Sequence, residues 1–348
     1  MGEGWTEWEM MNAAEPKFPG HEQPKVCTWG NFDESDPQWV EKEIDLAADH
    51  GVDVFLYDWY WYSGVKCMEE ALEQGFLKAP NRNRMKFALM WANHDRKWGK
   101  YAKFGEPRPV YLYIRHSLRD MERVIDYGIE HYFREPNYWK VDGGLFFSIF
   151  RADSFIKQLG GPAETRKVLE KMNKRMEDAG LPRMHWSAMV GSPRSAELAK
   201  EAGFNSTSRY NIATAKKVSP EGIEQYEDVM DAHRAHWKKM STSSPLIDMP
   251  VVTMGWDVSP RCRPEVPWPW PHYEYPYTPI VVGNTPDRFE RLLEDARKHC
   301  EKNPRKTFGV LLYAWNEWTE GGYLLPEERT GTQYLEAVKK VFGTKSAR

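Results

Sequence analysis

The feature that most narrows what this chain can fold into is an alternation. Short apolar runs beginning near positions 52, 86, 145, 184, 204, 249 and 307 take turns with segments whose apolar residues recur at helical spacing. The first run, VDVFLYDWYWY (52–62), and the last, with Val310, Leu311, Leu312 and Tyr313 at its centre, are unbroken in the way of strands covered on both faces. The segments between them read as helices over 37–50, 118–134, 162–180, 193–202, 222–240 and 286–300, with a closing helix at 332–342 and a short one near 67–74. Pro162 opens one of them and Gly180 ends it, as a first-turn proline and a post-helical glycine do. Seven strand–helix units, with no repeat and no linker, predict one domain over 1–348 built on a parallel sheet. Right-handed crossovers curl such a sheet into a (β/α)8 barrel. The barrel needs one more strand, and KVCTW (25–29) is the upstream candidate, so the first strand is expected to be missing or atypical. An open doubly wound sheet is the alternative, although no GxGxxG turn supports it. Residues 1–40, broken by Pro16, Pro19, Pro24 and Pro37, read as an N-terminal loop segment, and 258–284 as a proline- and aromatic-rich loop on the catalytic face.

Composition removes several function classes. A net charge of −3 gives no footprint for nucleic acid or an anionic membrane. No apolar run approaches membrane-spanning length, and Met1 leads straight into Gly-Glu-Gly-Trp without a secretory signal. Cys27, Cys67, Cys262 and Cys300 show no CxxC spacing. The 16 tryptophans and 17 tyrosines exceed what a core of this size needs, and many fall where strands should end. That placement points to a cleft that stacks on sugar rings.

In a parallel barrel the strand ends share one face, where ligands bind. They bring Asp58, Trp59 and Tyr60; Trp91, Asn93, His94 and Asp95; Arg151; Tyr210; and Trp256 with Asp257. Taken singly, each has a plain structural use: Asp58 and Asp257 as turn caps, His94 as a loop histidine, Arg151 as the counter-ion of a nearby carboxylate. The last strand is different, because it breaks into Trp315, Asn316, Glu317, Trp318, Glu320 and Gly321-Gly322. Paired carboxylates suit acid/base work on a glycosidic bond, and Trp315 and Asn316 suit the sugar's apolar face and hydroxyls. In a continuing strand Glu317 and Glu320 would face opposite sides. The chain is therefore expected to turn after Trp318, helped by the glycines, bringing the carboxylates within roughly 5–9 Å. Two like charges that close raise one pKa and leave an acid beside a base. No metal or other cofactor is expected. His233 and His236 sit three apart on a helix and read as a solvated face, and Ser187, Ser192 and Ser195 lie outside any nucleophile elbow.

The stretch WNEWTEGGYLLP resembles the Trp-Asn-Glu-Trp-x-Glu-Gly signature of family 99 glycoside hydrolases, and more closely that of their WbsX-like relatives. The likeness extends to GWTEW (4–8), AEPKFPGHEQP (14–24), GVDVFLYDWYWY (51–62), MKFALMWANHD (85–95), MGWDVSPR (254–261) and GNTPDRFERLL (283–293). It implies a (β/α)8 barrel and retaining hydrolysis of an α-linked, mannoside-like glycan. Glu320 would be acid and then base at the leaving oxygen. Glu317 would deprotonate the sugar's 2-hydroxyl to give a 1,2-anhydro intermediate. Arg261, in MGWDVSPR, joins the expected substrate-binding set. Relatives carry a strand ahead of the GWTEW stretch, so either 25–29 replaces it or it lies before Met1; in the second case a periplasmic or extracellular location follows. Two other readings stand beside the hydrolase: a glycosyltransferase of polysaccharide assembly, for which no DxD-like motif is present, and a carbohydrate-binding barrel without catalysis.

Overall fold

The computed structural model describes residues 5–97 and 104–343, so Gly4 of the GWTEW stretch lies outside the described residues. Parallel strands β1 (Val54–Tyr62), β2 (Lys86–Trp91), β3 (Gly144–Ile149), β4 (Met184–Met189), β5 (Ser206–Ser208) and β6 (Ile247–Met249) pair in that spatial order. Two more, β7 (Val251–Thr253) and β8 (Leu311–Tyr313), pair in parallel with each other. The break between β6 and β7 is Pro250, which has no N–H to donate to a ladder. Its carbonyl still accepts from Leu311, so the two pieces act as one ring position, the sixth. β2, β3 and β4 are buried almost throughout, which is why their sequences run apolar without alternating.

Helices cover the outside: α1 (Trp8–Asn12), α2 (Pro37–Asp49), α3 (Leu118–His131), α4 (Ala152–Gln158), α5 (Pro162–Asp178), α6 (Pro193–Glu201), α7 (Tyr226–Ser243), α8 (Pro286–Lys302) and α9 (Gln333–Phe342). Their starts are legible in the sequence. The side chains of Asp36, Ser117, Ser192 and Thr285 each accept a hydrogen bond from a first-turn N–H of α2, α3, α6 and α8, and prolines occupy the first turn of α2, α5, α6 and α8. Neighbours pack in sequence around the ring: α3 on α5, α5 on α6, α7 on α8, α8 on α9.

The ring has a seam. Among the described residues no backbone ladder joins β8 to β1. Val54, Phe55, Leu56 and Tyr57 are consequently only half-buried, as are Leu311 and Leu312 opposite, and all six line one continuous cleft. Side chains meet across the upper part, where the Phe55 and Trp315 rings lie 5.1 Å apart. The sequence candidate for the absent strand is corrected: 25–29 forms no ring strand. Cys27 makes a single antiparallel bridge with Glu327, which holds this segment over the carboxyl ends of the strands. Nor is 1–40 loop throughout, since α1 and the start of α2 fall within it.

Candidate active site

The motif after β8 turns as its glycines require. Asn316–Glu317 and Gly322–Tyr323 pair as a tight antiparallel hairpin around a 3-10 turn at Trp318–Glu320. Gly321 has φ +72°, and a Cβ there would sit 2.8 Å from the Asp257 backbone nitrogen; one on Gly322 would sit 2.7 Å from the Tyr313 ring. Both positions therefore need glycine. Trp318 stacks on Tyr323 at 4.2 Å and 7°, and Trp8 of α1 packs on its other side at 5.6 Å. The turn is thus fixed from both directions, and it aims both carboxylates into the cleft.

Glu320 is buried and accepts from three donors. Tyr313 Oη donates to Oε2; Tyr275 Oη at 2.7 Å and Arg261 Nη1 at 2.8 Å donate to Oε1. Glu317 is half-buried, and its Oε2 takes Arg261 Nη2 at 3.1 Å. One rigid guanidinium fork spans both groups, which limits these carboxylate oxygens to at most about 8 Å apart. That bound is compatible with the separations of glycosidase carboxylate pairs. Burial, and next the charge of Glu320, pushes the Glu317 carboxyl well above its ordinary range; Arg261 opposes this, while Glu7 and Asp58 add to it.

Arg261 itself is committed. Nε donates to Thr319 Oγ1 at 2.7 Å, Nη1 also reaches Tyr275 Oη, and Nη2 is 3.2 Å from Glu7 Oε2. Thr319 Oγ1 closes the network by donating to Glu7 at 2.9 Å. Arg261 lines the cleft, and each of its nitrogens also serves a protein acceptor, so in this structure it is the counter-ion of the pair.

The other expected residues divide. Asp58, Tyr60, His94, Arg151, Tyr210, Trp256, Trp315 and Asn316 line the same cleft, of about 2830 Å³, as Glu317 and Glu320. Trp59, Trp91, Asn93 and Asp257 do not: the first three are buried in the core and Asp257 is turned to the N-terminal segment, which corrects the expectation for each. Trp59 stacks on Trp61 at 5.5 Å and its indole N–H meets Tyr132; Trp91 is fully buried with its N–H on the Trp61 carbonyl. The Asn93 side chain accepts from the Arg151 backbone N–H and packs against His116. Asp257 pairs with His21 at 2.8 Å and Gln23 at 2.6 Å, pinning the N-terminal segment. The histidine pair is corrected too. His233 is fully buried, with one ring nitrogen on the Val229 carbonyl and the other accepting from Thr253 N–H. Tyr275, Tyr313 and Glu7 went unnoticed in the sequence. Tyr313 read as the last residue of a strand, and Glu7 carried no signal beyond its place in GWTEW.

Asp58, at the middle of β1, accepts from Tyr210 Oη at 2.9 Å. Burial pushes its carboxyl up to about 7, the Tyr210 hydrogen bond opposing and the Glu320 charge adding. Because this lies above the ordinary Asp value, the folded state holds the proton longer than the unfolded chain. Asp58 therefore costs stability progressively between roughly pH 4 and 7, and fully above that window. Asp58→Asn is expected to be more stable than the parent by about 1–2 kcal/mol near pH 8, after allowance for partial solvent screening, and no more stable near pH 4. Urea melts at both pH values check this; a variant weaker at both would show that the buried charge is not what Asp58 costs.

Over residues 1–338 the chain matches the family described as Glycosyltransferase WbsX. The Xanthomonas campestris protein WxcX is 26% identical over 353 residues, covering 97% of this chain and 46% of its own length; the chain thus spans about half of the curated relatives it matches. Among solved structures, the GH99 endo-alpha-mannosidase of Bacteroides thetaiotaomicron superposes with a TM-score of 0.61 at 14% identity, over 94% of this chain and 89% of that one. The same enzyme in complex with BIS-TRIS-propane gives 0.62 at 13%, over 91% and 86%. A glycoside hydrolase-like protein gives 0.63 at 12%, over 91% and 89%. At such identities the likeness shows a shared fold, mixed α/β on a parallel sheet.

Proposed function

The chain belongs to the WbsX family, and from that premise we propose that it is a retaining glycoside hydrolase acting on an α-linked, mannoside-like glycan. The observation that carries this reading is the carboxylate pair. Glu317 and Glu320 share one guanidinium and one tyrosine-walled cleft, at the carboxyl ends of parallel strands, in a ring shared with a GH99 endo-alpha-mannosidase. Closure of that ring as a full (β/α)8 barrel belongs to the same proposal.

Glu320 protonates the leaving oxygen as the bond to C1 breaks. Glu317 takes the proton of the 2-hydroxyl as that oxygen closes on C1. Water, deprotonated by Glu320, then opens the anhydro ring at C1, and Glu317 returns its proton to O2. Inversion occurs twice, so configuration is retained. The pair must carry one proton throughout, which burial and mutual repulsion favour. In the empty site the donors crowd on Glu320, so the arriving sugar has to displace the Tyr275 and Arg261 contacts before Glu320 can act as the acid.

A glycan panel incubated with the protein tests this, with products identified by mass spectrometry and their anomers by proton NMR. The expected result is an α-linked mannoside-like substrate cleaved with retention, and its 2-deoxy analogue left intact. Inversion, or equal turnover of the 2-deoxy analogue, would remove the anhydro route. The family's description favours a second reading, transfer from a sugar nucleotide; consumption of such a donor in the same panel, without hydrolysis, would decide for it.

A further inference from the structure

Charge is divided across the cleft. Glu7, Glu317 and Glu320 gather around Arg261 on the side of β8 and α1. The wall formed by the ends of β1, β2 and β3 instead carries His94, Arg96 and Arg151. Arg96 is half-buried, with its guanidinium 5.0 Å from the Tyr60 ring centroid, Nε donating to Tyr111 Oη, and Nη2 against Met68 Sδ. Arg151 stands exposed directly after β3. Among the described residues neither forms an ion pair with a carboxylate.

His94 lies near both. Burial first, and the two guanidinium charges after it, lower its proton affinity, so it stands neutral between them. Its Nδ1 faces the Asp95 carbonyl at 3.0 Å, which can only accept, so the proton is on Nδ1 and Nε2 is free to accept from a sugar hydroxyl. The carboxylate next to it, Asp95, has an oxygen turned to the Ile114 N–H at 2.8 Å. Among the described residues this wall therefore holds two cations that no carboxylate pairs with, Arg151 exposed and Arg96 kept partly from water. A cation kept partly from water without a counter-ion is costly, and such a cost is retained where a ligand supplies the missing charge. Tyr60, Phe150 and Tyr210 beside them offer ring faces for a pyranose.

We infer that this half of the cleft is a subsite for a sugar bearing an anionic substituent, a carboxylate or a sulfate, held by Arg96 and Arg151 with His94 accepting from a hydroxyl. The inference rests on the glycosidase reading and narrows its substrate to acidic glycans. Guanidinium forks match the paired oxygens of either anion, and charge-assisted hydrogen bonds are the stronger kind.

The test is binding, measured by titration calorimetry on the protein with matched pairs of hexasaccharides. One pair is α-1,4-galacturonate and its methyl ester; the other is a 6-sulfated α-mannan oligosaccharide and its unsulfated form. The acidic member of at least one pair is expected to bind about tenfold or more tightly, and to lose that margin near 0.5 M sodium chloride. Which pair shows the margin separates carboxylate from sulfate. Arg96→Gln with Arg151→Gln is expected to erase the margin while leaving the neutral members' affinity within about twofold. Arg151→Gln alone, at an exposed position, serves if the double variant does not fold. No margin in either pair, binding of neither, or a margin that survives both substitutions overturns the inference. An acidic preference without cleavage of any glycan would leave the subsite standing and sink the hydrolase; cleavage of neutral glycans as readily as acidic ones would do the reverse.

Discussion

Glu320→Gln is expected to lower kcat on any glycan the protein cleaves by about a thousandfold or more, while the dissociation constant for that glycan shifts by less than about tenfold. The amide keeps the size of the side chain but cannot release a proton to a leaving oxygen at neutral pH. It also offers one acceptor where the carboxylate offered two. Of the three donors now on Glu320, Tyr313, Tyr275 and Arg261, at least one is left without its partner. A melting temperature lower by a few degrees is therefore expected alongside the loss of rate, from the about 1–3 kcal/mol that an unpaired polar group costs. Three measurements separate the effects: turnover, calorimetric binding, and a thermal melt. Binding preserved with turnover lost assigns Glu320 to the chemical step. Turnover comparable to the parent would sink the assignment. Loss of binding together with fold would make the residue structural.

Much of this site could be read in advance because it follows from periodicity and local chain chemistry. The order of strands and helices was visible in apolar spacing, and the bounds of one helix in Pro162 and Gly180. The turn after Trp318 was visible in two glycines whose Cβ atoms would collide with Asp257 and Tyr313. What stayed hidden depends on which way a side chain points at a strand end. Asp58 and Trp59 are adjacent, yet alternation sends the carboxylate into the cleft and the indole into the core against Trp61. Trp91 and Asn93 share a strand end with His94 and were grouped with it, although only His94 reaches the cleft. Partners distant in sequence were hidden for another reason. Glu7 and Arg261 are separated by |i−j| = 254, and no local pattern in either segment names the other. The seam follows the same logic. The count of strands fell one short in the sequence, and the half-buried apolar faces of β1 and β8 are the physical form of that shortfall.

Arg261→Gln is expected to reduce turnover about a hundredfold and to move the pH–rate profile to higher pH, whereas Glu7→Gln moves it to lower pH. The signs follow from the charges around Glu317. Burial and the negative charge of Glu320 hold its proton on, Arg261 works to take it off, and Glu7 and Asp58 reinforce the first pair. Removing Arg261 strips the one opposing charge, so Glu317 keeps its proton to higher pH and the required base forms only in more alkaline solution. Removing the charge of Glu7 does the opposite, and also frees Arg261 Nη2 to turn fully towards Glu317. Arg261→Lys should fall between, because one ammonium cannot bridge two carboxylates as a fork does. The Arg261→Gln protein should also lose about 3 kcal/mol of stability, since three acidic side chains are left facing one another. Profiles of kcat/KM against pH for the three variants check the signs, and a carbon-13 titration of labelled glutamate, assigned with Glu317→Gln, reads the same shifts without a substrate. Profiles that move together, or do not move, would mean that Arg261 and Glu7 only brace the fold. Opposite displacements would establish that the N-terminal segment, through a single carboxylate, sets the pH at which the pair holds its one proton.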